Sequence, residues 1–486
     1  MQPTAQWYTE LAPGFPISRI LTGLWQIADM EKEGKTLDPD MAASAMAPYV
    51  QSGLTTFDMA DHYGSAEIIA GRFKNHHPLG AEARLLTKWV PKPGKGTKAE
   101  VRAAVELALK RLEVDCLDLL QFHAWHYPDA IWLDQLFWLS ELQEEGLIHH
   151  LGLTNFDAAH LRMACASGIP IVSNQVCHSL LDQRASGEMA KVCQEYGVKI
   201  LAFGTLAGGF LTDTWADKPE PILGDNGATW SQMKYKRFID TAGGWEKFQY
   251  LLATVRRIAQ KHGVSTATVA TRHILDQPYV AGAIIGARLG QRAHIEDTLQ
   301  VFSFELDESD RTAIQEAQAT LAPIPGDCGD EYRKPPFLTA SGDLSHHLEQ
   351  IPKPFDTVLT PDGGQRVFSG TPWESMAGYS RAVRKGNRIA VSGTTATHGS
   401  RVIGGSDPAA QACFVLDKIE AALLSLGASL ENVVRTRVFV QNISDWEPIA
   451  RAHGQRFAGI FPANTLVEAR LVGSEYLVEI EADAEL

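Results

Sequence analysis

The chain contains no apolar stretch near the roughly 20 residues that a helix needs to cross a bilayer, and no charged head followed by an apolar run opens it. No membrane span is expected, and a cytoplasmic location is. Cysteine is scarce: the six thiols, at 116, 165, 177, 193, 328 and 413, show no CxxC spacing. That excludes a disulfide framework and a zinc ribbon, and the thiols read as reduced and mostly buried. Basic charge is also in deficit, with 44 Lys and Arg against 58 Asp and Glu for a formal net charge of -14. Nucleic acid is therefore not an expected partner, because phosphate binding needs a basic patch. The string KPGKGTK, residues 92–98, is only a short basic loop and reads as solvated surface. No GxGxxG follows the first predicted strand, which argues against a doubly wound open sheet.

What the chain does have is alternation. Strand-like apolar runs at ISRILTGLW, LTTFDM, RLLTKWV, CLDLLQFH, IHHLGLTNF, IVSNQV, VKILAFGTL and VAGAIIGA are separated by helical patterns such as TKAEVRAAVELALKRL and WLDQLFWLSELQEEG. Several of these helices are followed by the glycine expected just past a helix end, and Thr97 with Glu100 forms a capping-box signature. Eight such units over residues 1–325 fit an α/β fold of the (β/α)8 TIM-barrel type. A Pro-rich, weakly periodic linker follows over 326–356, with one helical turn expected around SHHLEQ and with His346 and His347 read as surface residues rather than metal ligands. No metal is expected. Residues 357–486 change pattern to a compact α+β unit: RVFSGTP, SRAVRKGNRIAVSGT, ENVVRTRVFVQN, NTLVEARLV and LVEIEADA read as strands, and the segments beginning DPAAQ and ISDWE have helical spacing.

Asp58, Tyr63, Lys88 and His123 each fall at or near the end of a predicted barrel strand. In a parallel barrel those ends converge on one face, where catalytic residues meet. Their chemistry suits hydride addition to a carbonyl. Negative charge develops on the oxygen, and a phenol beside it can donate the proton, which is the role expected of Tyr63. A free tyrosine titrates at about pH 10, so it needs the help of an adjacent ammonium, here Lys88, which favours the phenolate. Asp58 would keep Lys88 charged and in place, and His123 would be a neutral donor to the carbonyl oxygen.

Carried by that ordered tetrad, residues 1 to about 325 resemble the aldo-keto reductase family. The resemblance implies an NAD(P)-dependent oxidoreductase acting on an aldehyde, a ketone or an imine. It further implies a nicotinamide site with Thr154, Asn155 and Gln175 at the carboxamide and Phe203 stacked on the ring. Gly204, Thr205 and Leu206 would follow the pyrophosphate, and Gly286, Arg288 and His294 would lie at the adenosine end, with Glu296 and Asp297 close by. Trp25 and Trp125 are the expected substrate contacts. Arg288 tilts the expected cofactor to NADPH, with NADH open. The segment LTDTWADKPEPILGDNGATWSQMKYKRF, 211–238, reads as a long loop able to close over substrate or cofactor.

The strings AGYSRAV, VSGTT, VVRTRVFV, FPANTLVEARL and VEIEADA resemble the RidA family, also called YjgF, which has a chorismate-mutase-like fold. Its members commonly form trimers with clefts between subunits, so a homo-oligomer, a trimer, assembled through the C-terminal domain is implied. Tyr379, Ser392 and Glu481 occupy matching cleft positions. Where the deaminating members carry an arginine that clamps a substrate carboxylate, this chain has Asn464, and their cysteine two residues on is Leu466. An amide does not replace a guanidinium, which argues against ordinary 2-imino acid hydrolysis unless Arg437 or Arg470 compensates. The expected function is NAD(P)H-dependent carbonyl reduction of a small molecule beside an assembly or ligand-binding domain. The alternative is a fusion protein with two activities, in which the RidA-like part processes an enamine or imine that the reductase supplies or consumes.

Overall fold

The computed structural model describes all of the chain except residues 1–3, 32–34, 95, 224–228, 292–293 and 335–343. Parts of the basic loop, the long loop, the adenosine-end segment and the linker therefore lie outside the described residues. An N-terminal hairpin, β1 (Tyr8–Ala12) and β2 (Phe15–Ser18), precedes the barrel and was not anticipated. The eight predicted runs then form β3 (Ile20–Gly23), β4 (Thr56–Asp58), β5 (Arg84–Trp89), β6 (Leu117–Phe122), β7 (Ile148–Thr154), β8 (Ile171–Cys177), β9 (Lys199–Phe203) and β10 (Val280–Gly286). They close in sequence order, with β10 pairing β3, into a parallel barrel. The hairpin acts as its plug: Leu11, Phe15 and Ile17 pack on Leu21, Leu86, Leu119, Leu201 and Ala281 from the barrel interior. One end of the barrel is thereby filled with apolar side chains, and the other end is left for chemistry.

Two expectations about the connections are corrected. The segment 211–238 is not loop throughout: a helix runs Trp230–Thr241, opened by a capping box between Thr229 and Gln232. The predicted linker is not free at its start. Asp330–Arg333 forms a helical turn with Asp330, Glu331 and Tyr332 buried, because Arg184 pairs with Glu331 at 2.8 Å and donates to the Asp327 carbonyl at 2.8 Å. The turn at SHHLEQ is present as a 3-10 helix, but His347 is buried against Trp125, with ring centroids 5.3 Å apart, rather than on the surface.

The C-terminal unit is a seven-stranded sheet with the two predicted helices packed against one face. Its strands are β11 (Thr357–Leu359), β12 (Gln365–Val367), β13 (Ala382–Lys385), β14 (Arg388–Thr395), β17 (Val433–Val440), β18 (Ala463–Glu468) and β19 (Val478–Glu485), in the order β11-β12-β13-β14-β19-β17-β18. Two-residue strands β15 (Thr397–His398) and β16 (Arg401–Val402) form a separate ribbon. The helix Pro408–Ser425 buries 14 of its 18 residues, far more than one stripe. A helix that is apolar nearly all round must be covered on every side. One side lies on β14 and β19, another meets Trp446–Arg456, and a third meets the barrel helix Ala158–Ala166. No described helix is long and apolar enough to cross a membrane, and all six cysteines are free.

At that last contact His160 is held at both ring nitrogens, by Asp157 at 2.7 Å and by Asp417 of the C-terminal helix at 2.9 Å. Arg456 pairs with the other oxygen of Asp417 at 2.8 Å and also reaches Glu420. Burial alone would push the His160 imidazole down, but the two carboxylates outweigh it and hold the group well above the usual histidine range. The sign of the linkage follows: the cation's stabilisation is complete below the unfolded value of about 6.5 and is lost as pH rises through the raised folded value. The denaturation midpoint of wild type minus that of His160→Gln is expected to be largest at about pH 6 and to shrink toward about pH 9. A difference that stays constant over that window would show that the imidazole is uncharged in the fold.

Candidate active site

The strand ends deliver the tetrad as a connected unit. Lys88 on β5 is buried, with its Nζ 2.7 Å from Asp58 Oδ2 and 2.8 Å from the Met59 carbonyl. The other oxygen of Asp58 accepts from Gln121 at 3.1 Å and from Gln175 at 2.7 Å, and Gln175 also donates to Gln121 at 2.8 Å. Tyr63, in the loop before the helix Ala66–His76, lies with its ring centroid 5.0 Å from Lys88 Nζ. Burial lowers the lysine pKa, and Asp58 opposes that shift through its charge and its hydrogen bond. An ammonium is kept at this depth only because the carboxylate is there and is itself satisfied.

His123 follows β6 and is buried. Burial and the nearby Arg333 charge push its pKa well below the usual range, so the ring is neutral at ordinary pH. Its Nδ1 lies 3.3 Å from the Thr154 carbonyl, a long contact, while Nε2 is buried without a hydrogen-bond partner among the described residues. A carbonyl can only accept, so that contact puts the single proton on Nδ1. Donation from Nε2 to a substrate oxygen requires the other tautomer, which costs only one weak bond.

One cavity of about 700 Å³ joins these groups to the rest of the mouth. Asp58, Tyr63, Lys88 and His123 line it, as do Trp25 and Trp125. So do all ten expected cofactor residues: Thr154, Asn155, Gln175, Phe203, Gly204, Thr205, Leu206, Gly286, Arg288 and His294. Of the two neighbouring carboxylates Asp297 lines it and accepts from Ser265 at 3.0 Å, whereas Glu296 is exposed outside it. Gly204 adopts φ +72, and a Cβ there would lie 2.1 Å from the Tyr235 hydroxyl, so the chain can turn along the cavity only with glycine. Asn155 Oδ1 and Thr205 Oγ1 are buried without partners among the described residues. Unsatisfied buried polar atoms are costly. Their placement fits a dinucleotide lying along the cleft, with an amide at one and a phosphate at the other.

Several residues of the site escaped the sequence reading. Gln121 had a signal, since it sits two residues before His123 and so shares its face of the strand. Trp230 and Lys234 follow the T-x-x-Q signature at Thr229, which also was available. Lys234 is buried, donates to the Tyr332 hydroxyl, and lies 5.4 Å from the Phe203 ring centroid. Tyr332, edge-on to His123 at 5.9 Å, had no local signal at all.

The RidA-like residues do not form one cluster. Glu481 pairs with Arg437 at 2.8 Å on the open face of the sheet. Asn464 is paired with Thr436, one residue away on β17 and therefore on the opposite face, where its amide donates to Thr436 Oγ1 at 2.9 Å and approaches His453 at 3.4 Å. Tyr379 accepts from Arg381 at 3.2 Å, and Ser392 donates to the Ser380 carbonyl at 2.8 Å. Within one chain Asn464 cannot share a cleft with Glu481, and Arg470 is exposed.

A neutral imidazole, a tyrosine beside a buried ammonium and a cavity of about 700 Å³ at the mouth of a parallel barrel define an oxidoreductase class. Comparison with known proteins agrees: the aldo/keto reductase family model matches residues 19–319, and the model described as Endoribonuclease L-PSP matches 371–486. The chain belongs to the aldo/keto reductase family, whose members are NAD(P)-dependent oxidoreductases, with a RidA/YjgF unit joined to it. It is similar to an uncharacterized protein of Streptomyces coelicolor, 35% identical over 127 residues, which cover 26% of this chain and 95% of that one. It is similar to Protein tas of Escherichia coli, 31% identical over 211 residues, covering 39% of this chain and 59% of that protein. Among solved structures, a glycerol dehydrogenase from Gluconobacter oxydans is 25% identical with a TM-score of 0.54, covering 67% of this chain and 98% of that one.

Proposed function

We propose that this chain reduces an aldehyde, a ketone or a related imine with NADPH, using Tyr63 as the proton donor. The observation that carries the reading is the pairing of the Lys88–Tyr63 unit with His123 Nε2, which has no partner among the described residues, in one cavity. A bound nicotinamide supplies the hydride to the carbonyl carbon. Negative charge develops on the oxygen, and the Tyr63 hydroxyl transfers its proton there while Lys88 faces the resulting phenolate. His123 orients the oxygen through Nε2–H once its long contact to Thr154 is released. The rings of Trp25, Trp125 and Trp230 around the cavity favour a substrate with a flat apolar body. Tyr63→Phe is expected to lower kcat about a hundredfold to ten-thousandfold while cofactor binding is nearly unchanged. Wild-type turnover by that variant, followed by cofactor absorbance with a panel of aldehydes, ketones and cyclic imines, would remove the assignment.

The preference for NADPH rests on Arg288, which lines the far end of the cleft and is oriented by Gln26 at 3.1 Å. A guanidinium there suits a 2′-phosphate, and bonds to charged groups are worth about 1.5–3 kcal/mol. Arg288→Ala is expected to weaken NADPH binding by about tenfold or more and NADH binding little, read by quenching of tryptophan fluorescence. Tighter NADH binding, indifferent to the substitution, would reverse the preference.

The RidA-like unit is read as an assembly module rather than a second catalyst. Asn464 supplies no charge for a carboxylate, and its amide is taken up by Thr436. Exposed large apolar side chains favour assembly: Val434, Trp446, Phe461, Val467 and Val472 all lie on this unit. Closed symmetry would cover them in a trimer. Light scattering on the full chain is expected to return a multiple of three protomers, and a monomer would overturn the reading.

A further inference from the structure

The loop that follows β7 connects the nicotinamide side of the cleft to the C-terminal unit. It runs from Asn155, whose Oδ1 has no partner among the described residues, through Phe156 to Asp157, the cap of the helix Ala158–Ala166. Asn155 has φ +59, a left-handed conformation that asparagine takes more readily than other non-glycine residues. The carbonyl of Asn155 accepts from Arg333 Nη1 at 2.5 Å, and Arg333 Nε donates to the Ala124 carbonyl at 2.8 Å. One planar fork thus ties the residue after His123 to the residue after Thr154. Gly329, four residues before Arg333, presses on the same carbonyl: a Cβ there would lie 1.9 Å from the Asn155 oxygen.

The other end of the loop is held from across the domain boundary. Asp157 accepts from His160 Nδ1, whose Nε2 side meets Asp417. Between the two holds lies Tyr127. The His160 ring stacks on it at 3.4 Å and 6°, and the Arg333 guanidinium carbon sits 4.4 Å from its centroid. At these distances both cannot occupy one face, so Tyr127 is sandwiched between the two cations, a favourable arrangement for an aromatic face. Its hydroxyl accepts from the Asp157 N–H at 3.3 Å.

His160, Cys413 and Asp417 also lie within 4.8 Å of one another, a spacing open to a metal ion. The charges argue otherwise. Asp157, His160, Asp417, Arg456 and Glu420 alternate in sign along one chain of contacts, and a divalent cation would displace the bridging proton beside Arg456.

Arg333 lies between the two stretches that match family models, 19–319 and 371–486, and Asp417 lies in the second. We propose that Arg333 and the His160–Asp417 pair are positioning residues for the reductase site. They brace the Asn155–Asp157 loop from the connector and from the C-terminal unit, and so set the affinity for the nicotinamide cofactor. This rests on the reading of Asn155 as a cofactor contact.

The test uses the full chain, with NADPH titrated by tryptophan quenching and kcat measured at saturating cofactor. Asp417→Asn keeps the shape and removes the charge. Arg333→Lys keeps the charge and loses the fork, which probes the brace at its other end if the first variant folds poorly. Each is expected to raise the Kd for NADPH on the order of tenfold, within the usual range of coupling between sites, and Asp417→Asn to change kcat less than about twofold. Arg162→Ala is the control, because Arg162 pairs with Asp407 across the same boundary at 2.7 Å without touching the loop, and its Kd should match wild type. Equal weakening by Arg162→Ala would reduce the effect to general loosening and overturn the proposal. Wild-type affinity in Asp417→Asn and Arg333→Lys, with weakened binding in Asn155→Ala, would overturn the brace and leave the cofactor reading standing. Wild-type affinity in Asn155→Ala would remove both. Stoichiometric zinc in the purified protein would replace the proton bridge with a metal centre and overturn the proposal in its present form.

Discussion

An ammonium sealed inside the barrel is the constraint on which the site depends. Left alone, Lys88 would cost several kcal/mol to keep charged, and it would neutralise instead. Asp58 on the adjacent strand prevents that, and Gln121 and Gln175, from two further strands, prevent Asp58 from being the next unsatisfied group. Four strands must therefore be in register for one charge to persist. A slip of one residue would turn any of these side chains to the outer face, so barrel closure and catalytic chemistry are specified by the same pairing.

Much of this was legible because it follows from period and order. The eight apolar runs became the eight barrel strands, and Asp58, Tyr63, Lys88 and His123 met where parallel strand ends meet. Thr97 and Glu100 formed the capping box that their spacing announced. What was not legible depends on long-range contact. The hairpin over Tyr8–Ser18 has weak alternation, and its reason to exist is the open end of a barrel that forms later in the chain. The segment around Cys328–Arg333 reads as linker by its prolines and glycines, yet Glu331 and Arg333 find partners more than a hundred residues earlier, in Arg184 and the Asn155 carbonyl. Composition describes what a segment can do alone, and this one does nothing alone.

The C-terminal unit shows the complementary case, in which the pattern was readable and its meaning was not. The run FVLDKIEAALL is visibly helical and visibly too apolar for a surface helix of a small domain. Its excess is explained by the barrel helix against it, and one charged residue of the run, Asp417, meets His160 across the boundary. Asn464 shows the limit of position matching. It holds the place of a functional arginine in a family string, but the strand turns it toward Thr436 and His453.

The separation of His160 from Asp417 along the chain, 257 residues, has a consequence for synthesis. At about 5–20 residues per second, roughly 13–50 s elapse between the emergence of the two side chains. From the emergence of β10 until that of Asp417, the nascent barrel has every strand it needs but carries a helix whose histidine is held from one side only and whose apolar face awaits its cover. The barrel is thus the first part of the molecule that can fold on the ribosome and the last part that can be finished there. A chaperone that shields exposed helix faces would find its longest opportunity on the Ala158–Ala166 helix.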